Sequence, residues 1–219
     1  MNKYNLTEYD DILSKKLYNV LRDEFPSLDL FKSNGDNIGN KNVRYRLNYT
    51  DDIIPHLSPL WVEFVESFNS ESYKKTIEQM YGEYPKDIGM FWFKCMRGYD
   101  LKTHCDILPK ISTQIFYFND ERDWKPEWGG NTVFYGQAES YPYPDPYEVD
   151  MMKTQSIIWK NMSKLRKEND EYIAENHIPH SVEKIKCPIG FHRNTFNISA
   201  CRGKYDVTKK GKNVAYIDW

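Results

Sequence analysis

The chain has 219 residues, enough for one domain with a substantial core and too few for two comfortable ones. Its net charge of −2 gives no global positive field for phosphate, so nucleic acid is not the expected partner, and its 17 Tyr, 11 Phe and 6 Trp favour a sheet-rich core and a lined pocket. The polar stretch 1–11, the lack of any apolar run of spanning length and four cysteines (Cys95, Cys105, Cys187, Cys201) without Cys-x-x-Cys spacing point away from secretion, membranes and structural zinc. A cytoplasmic chain with reduced thiols is expected, in the host cytoplasm if the Asn-, Lys- and Tyr-rich composition marks a viral protein.

Taken in order, Thr7 with Asp10 three residues on reads as a helix start, and Ile12, Leu13, Leu17, Val20, Leu21 and Phe25 recur at helical spacing up to Pro26. Residues 34–42 read as a loop and 43–48 as a short edge strand. Ser58-Pro59 opens a second helix to about Phe68, and a third is expected over 70–81 before Gly82. From residue 88 the period changes to that of strands, expected over 89–97, 111–119, 131–135, 156–160, 178–185 and 193–202. Residues 141–147 alternate Tyr, Pro and Asp and should form an irregular loop; 161–176 is a charged excursion, read as a solvated helix or loop. Residues 1–85 thus form a mainly helical part, 86–205 a β core and 206–219 a tail, within a single domain.

The chemistry concentrates at Lys102-Thr103-His104-Cys105-Asp106. Side chains at i and i+2 of an extended strand share a face, so His104 and Asp106 would present an imidazole and a carboxylate side by side, with Cys105 turned away. One more histidine from another strand would complete the facial set that suits non-haem Fe(II) and leaves the opposite face open. Three histidines compete for that place. His192 directly precedes Arg193 and would point to the other face of its strand, and His177 ends a polar loop; His180 leads into the alternation of Val182 and Ile185 and is preferred. Arg193, inside a β run, and Arg202 are both available as an anion-binding fork.

These pieces stand in a telling order: Gly98-Tyr99-Asp100-Leu101 running into His104-Cys105-Asp106, the strand IFYFND, a tryptophan-bearing loop with WGGNTVFYG, Pro179-His180-Ser181-Val182, and Arg193-Asn194-Thr195 thirteen residues past His180. In that order, over roughly 89–202, the chain resembles the Fe(II)/2-oxoglutarate-dependent oxygenases, and within them the prolyl-4-hydroxylase-like branch. The resemblance implies a mostly β (α+β) chain built on a double-stranded β-helix, or cupin-like jelly roll, with N-terminal helices packed on one sheet. It implies iron held by His104, Asp106 and His180, and Arg193 paired with the distal carboxylate of 2-oxoglutarate, for which a planar guanidinium that stays charged when desolvated is well suited. Thr195 would share Arg193's strand face and add a hydroxyl, with Tyr99, Gln114 and Tyr117 as further cosubstrate contacts.

By the same resemblance the requirements are Fe(II), 2-oxoglutarate and O2, with ascorbate as a helpful addition, and the reaction is hydroxylation, because halogenating relatives lack the carboxylate that Asp106 supplies. The implied substrate is a prolyl residue of a peptide or protein, or a free amino acid or small peptide; the oligomeric state is left open. Two alternatives are a non-catalytic jelly-roll binding module and a nucleic-acid demethylase of the same superfamily. A complete triad has no use in the first. For the second, the closely spaced second arginine is missing, position 199 being Ser.

Overall fold

A computed structural model of the chain describes residues 4–33, 43–107, 109–136, 145–161, 164–168, 171–175 and 177–204. Three helices come early. α1 (Lys15–Asp23) is capped by Ser14, whose hydroxyl accepts from the Leu17 amide at 3.3 Å. α2 (Pro59–Asn69) starts with Ser58 as cap and proline in its first turn; α3 (Glu71–Tyr81) starts at Ser70 and stops at Gly82, whose φ of +75° an L side chain rarely adopts. Thr7 does not start a helix. Leu6–Tyr9 is a strand, β1, and the helix begins only after Ser14, about two turns later than the spacing suggested.

The remaining strands are β2 (Lys32–Ser33), β3 (Arg44–Asn48), β4 (Asp87–Cys95), β5 (Leu101–His104), β6 (Lys110–Tyr117), β7 (Thr132–Phe134), β8 (Tyr147–Val149), β9 (Ser156–Lys160), β10 (Lys164–Glu168), β11 (Glu171–Glu175), β12 (His180–Val182) and β13 (Arg193–Cys201). They form a seven-stranded antiparallel sheet, β1-β9-β6-β13-β4-β3-β2, and a four-stranded one, β5-β12-β7-β8. This is a double-stranded β-helix. The strand expected over 43–48 is β3, one place in from the edge, and two strands that were not expected, β1 and β2, close the main sheet at its two edges. β1 covers the apolar edge strand β9, with Leu6 opposite Trp159 and Tyr9 opposite Ser156. The charged excursion is a local hairpin rather than a helix or loop, β10 pairing with β11 from Lys164↔Glu175 to Glu168↔Glu171. The loop at 34–42, residues 141–144 of the Tyr-Pro loop and the tail at 206–219 lie outside the described residues. Among the described residues, no helix is long and apolar enough to cross a membrane.

Alternation along the main sheet sorts its side chains onto two faces. One face carries Met90, Trp92, Phe116, Ile158, Phe196 and Ile198 against the helices, with Trp61 of α2 at the centre. The Trp61 ring lies 5.1 Å from Phe118, 5.4 Å from Trp92 and 5.7 Å from Phe196, while its indole N–H donates to the Leu21 carbonyl at 3.0 Å. Burying each such ring stabilises the fold by about 1.5–3 kcal/mol. The other face looks at the four-stranded sheet, and there Phe91, Phe93, Ile115, Tyr117, Ile157 and Trp159 meet Phe134, Val149 and Val182. Polar groups are mixed into this second interior, and they form the site.

Candidate metal and cosubstrate site

β5 and β12 pair so that His104 stands directly opposite His180, with ring centroids 4.4 Å apart. Asp106 lies just past the end of β5, in irregular chain rather than in the strand that the His-x-Asp spacing assumed. Even so, one ligand atom from each of His104, Asp106 and His180 falls within 4.8 Å of the others, and His177 and His192 stand outside this group.

Both imidazoles are fixed alike. His104 Nδ1 is 3.0 Å from the Lys102 carbonyl and His180 Nδ1 is 3.0 Å from the Ile178 carbonyl. A carbonyl can only accept, so the network assigns Nδ1–H to each ring and leaves Nε2 as a bare donor for a cation. Burial pushes His180 down to about 4, outweighing the pull of Asp106, so it is neutral at ordinary pH. Asp106 is the converse case. Burial raises its carboxyl, but the Lys110 ammonium and the two imidazoles together hold it well below the usual carboxylate range. Its Oδ1 accepts from Lys110 Nζ and its Oδ2 from Thr113 Oγ1, each at 2.8 Å. The set is two imidazoles, each fixed through Nδ1, and one oriented carboxylate, which fits a divalent first-row metal such as iron. Around His180 the walls are aromatic, with the Trp159 ring at 5.0 Å and Phe134 at 5.9 Å.

Farther along the same interior sits Arg193, at the start of β13 and only 4% exposed. Its Nε donates to the Gly130 carbonyl at 2.6 Å and one terminal nitrogen donates to Thr132 Oγ1 at 3.3 Å. Tyr117 stands beside it, its ring centre 5.3 Å from the guanidinium carbon and its hydroxyl 2.7 Å from Thr132 Oγ1. Burial raises the Tyr117 phenol to about 12, so it stays protonated. Among the described residues no carboxylate forms an ion pair with Arg193. A desolvated guanidinium without a counter-ion is costly, and an incoming anion relieves that cost.

The remaining sequence candidates divide. Thr195 is fully buried on Arg193's face of β13 and donates to Asn197 Oδ1 at 2.8 Å. Tyr99 is buried in the same interior, with its ring 5.6 Å from the Arg44 guanidinium. Gln114 does not join the site. It lies on the helix-facing side of β6, accepting from the Tyr73 hydroxyl at 2.8 Å and donating to Ser156 Oγ at 3.1 Å. Arg202 is held by Glu83, with its Nε 2.6 Å from a carboxylate oxygen, and donates to the Lys110 carbonyl at 2.9 Å, which leaves Arg193 as the open fork.

Sequence reasoning missed Lys110, Thr113 and Thr132, and it gave the Gly129-Gly130 pair of WGGNTVFYG no part in the site. Gly130 has a φ of +93°, and a Cβ there would lie 3.2 Å from Arg193 Cδ. The second glycine is therefore also the seat of the arginine.

No family model and no curated protein matches the chain. Solved structures do. A prolyl-4-hydroxylase from Pseudomonas putida aligns with a TM-score of 0.64 at 12% identity, over 90% of this chain and 92% of that one. The fold is that of the 2-oxoglutarate/Fe(II) oxygenases. A prolyl hydroxylase from Trichoplax adhaerens, in complex with a hypoxia-inducible-factor peptide, aligns with a TM-score of 0.66 at 12% identity over 91% and 84% of the two chains. HygX from Streptomyces hygroscopicus, with nickel and 2-oxoglutarate bound, gives 0.54 at 10% over 98% and 92%. In this oxygenase fold the two histidines come from adjacent strands of the smaller sheet, and Arg193 comes from the central strand of the larger one.

Proposed function

We propose that the chain is an Fe(II)/2-oxoglutarate-dependent dioxygenase that hydroxylates a C–H bond, converting 2-oxoglutarate and O2 to succinate and CO2 as one oxygen atom enters the substrate. One observation carries the reading: a buried guanidinium without an acidic partner shares an interior with a cluster of two histidines and one carboxylate. His104 and His180 through Nε2, and Asp106 through a carboxylate oxygen, would hold the iron, which supplies the oxygen activation when bound. Arg193 would receive the distal carboxylate of 2-oxoglutarate, with the Tyr117 hydroxyl as a second donor and Thr195 on the same face. Thr113 and Lys110 orient Asp106, while Trp159 and Phe134 keep water from His180.

The substrate is a prolyl residue in a peptide, or a free amino acid or other small molecule. The first choice draws on the two prolyl hydroxylases of like fold; the second draws on HygX, whose structure also exists with hygromycin B bound. The test is succinate formation from 2-oxoglutarate under air with added Fe(II) and ascorbate. His104→Ala should abolish it, and Arg193→Gln should weaken 2-oxoglutarate by about 10- to 100-fold, the loss of a charge-assisted fork. Succinate formation that both variants retain would sink the reading.

A further inference from the structure

β9 brings two polar groups to the metal ligands that the proposed function does not use. Ile157 and Trp159 point into the site interior, and Asn161, one residue past the strand, keeps their parity. The backbone of Asn161 stays in the sheet: its N–H donates to the Ile111 carbonyl at 3.0 Å, and its C=O accepts at 3.2 Å from Ile178, two residues before His180. Trp159 stands opposite Thr113 in the β6–β9 register, with its ring 5.0 Å from that of His180. Trp159 and Asn161 are each only 1% exposed.

The Asn161 side chain straddles Thr113 Oγ1, with Oδ1 at 3.4 Å and Nδ2 at 3.3 Å. Thr113 has one hydroxyl hydrogen, and the Asp106 carboxylate, which can only accept, takes it at 2.8 Å. Thr113 therefore cannot also donate to Asn161, whichever way the amide is turned, and accepts from Nδ2 instead. Donation runs from Asn161 through Thr113 to Asp106, and the Asn161 amide oxygen is left as a buried acceptor without a donor. The Trp159 indole N–H is the converse, a buried donor without an acceptor. Trp92 Nε1 is unpaired too, but it stands in the aromatic cluster around Trp61, whereas Trp159 stands against a metal ligand. Buried polar groups are nearly always paired. An open donor and an open acceptor two residues apart, beside the triad, suit a ligand group that carries both an acceptor and a donor.

We infer that Trp159 and Asn161 bind an amide of the substrate, the indole N–H donating to its carbonyl oxygen and Asn161 Oδ1 accepting from its N–H. The inference rests on the oxygenase reading for the word substrate, and it narrows the candidates to those with a primary or secondary amide. An ester or a tertiary amide brings no hydrogen for Asn161, and a carboxylate, such as that of a free amino acid, would set a second bare oxygen against Oδ1. In a prolyl peptide the bond before proline has no N–H, so the amide held would be the one that follows it.

The test reads the tryptophan itself. The Trp159 indole N–H signal, one of six, is assigned in 15N NMR through Trp159→Phe. The full chain, given redox-inert Zn(II) and saturating 2-oxoglutarate, is titrated with N-acetylproline N-methylamide, which has a single N–H, and with its N,N-dimethyl counterpart, which has none. N-methylacetamide and N,N-dimethylacetamide repeat the comparison with fragments small enough for any substrate. The methylamides should move the Trp159 signal saturably and bind about tenfold or more tightly than the dimethylamides, as the loss of one buried hydrogen bond predicts. Asn161→Leu should erase that preference while the signal still moves, because the indole still donates. A Trp159 signal that ignores both methylamides, or a wild-type chain that binds methyl and dimethyl probes equally, would overturn the inference. That wild-type comparison stands even if a variant misfolds. Binding of 2-oxoglutarate to the Zn(II)-loaded chain is read separately by calorimetry, and the probes are titrated whether or not it binds. Failure at Trp159 is thus distinct from failure of the oxygenase reading.

Discussion

The two faces of β13 are built from one nine-residue strand and do opposite work. Phe196, Ile198 and Ala200 point at the helices and join the aromatic cluster around Trp61. Arg193, Thr195, Asn197 and Ser199 point at the smaller sheet, where every one of them is buried and polar. A slip of one residue in pairing would exchange the faces, putting Arg193 among the phenylalanines. The apolar face thus sets the register, and the register aims the site. Stability and function separate by parity along the same chain, so substitutions on the two faces should fail differently.

The largest effect is expected on the apolar face. Phe196→Ala removes a fully buried ring that touches Trp61, Trp92 and Phe64, and should cost about 3–5 kcal/mol of unfolding free energy in a urea melt. Whatever remains folded should bind metal as before. On the polar face, Thr113→Val takes one hydrogen bond from Asp106, and should weaken metal binding about tenfold in a chelator competition while leaving the melting midpoint nearly unchanged. If Thr113→Val instead melted the protein and spared the metal, the division of faces would be wrong.

The smallest effect concerns the exception. Lys94 projects to the helix side, its ammonium 5.0 Å from the centre of Phe25 and 5.6 Å from that of Phe31. Burial lowers it to about 8, from 10.5 for a free lysine. Between those values the unfolded chain is protonated and the folded chain is not, so this residue makes stability rise with pH there; below about 8 it carries a charge that the fold disfavours. Lys94→Met should therefore stabilise by about 1 kcal/mol at pH 7, discounted for its partial exposure, with the gain shrinking through pH 8 to 10.5. A gain that stays flat with pH would assign the effect to packing instead.

Much of this was legible before the structure. β13, α2 and α3 announce themselves through alternation, Ser caps and Gly82, and ligand atoms of His104, Asp106 and His180 lie within 4.8 Å of one another. What was missed depends on partners distant in sequence. β1 is a strand because β9 needs an edge partner some 150 residues away. Gly130 matters because Arg193, far downstream, leans on it. Gln114 could have been set aside earlier: three residues from Tyr117 on one strand, it has the opposite parity and must face the other way.

The central claim is that the triad and Arg193 act as one site for iron and 2-oxoglutarate. Anaerobic addition of Fe(II) and 2-oxoglutarate to the apo protein should produce the visible charge-transfer band of the chelate, present in the wild type and lost in His180→Ala. Well-folded wild-type protein that shows no band, or a band that survives in His180→Ala, would contradict it.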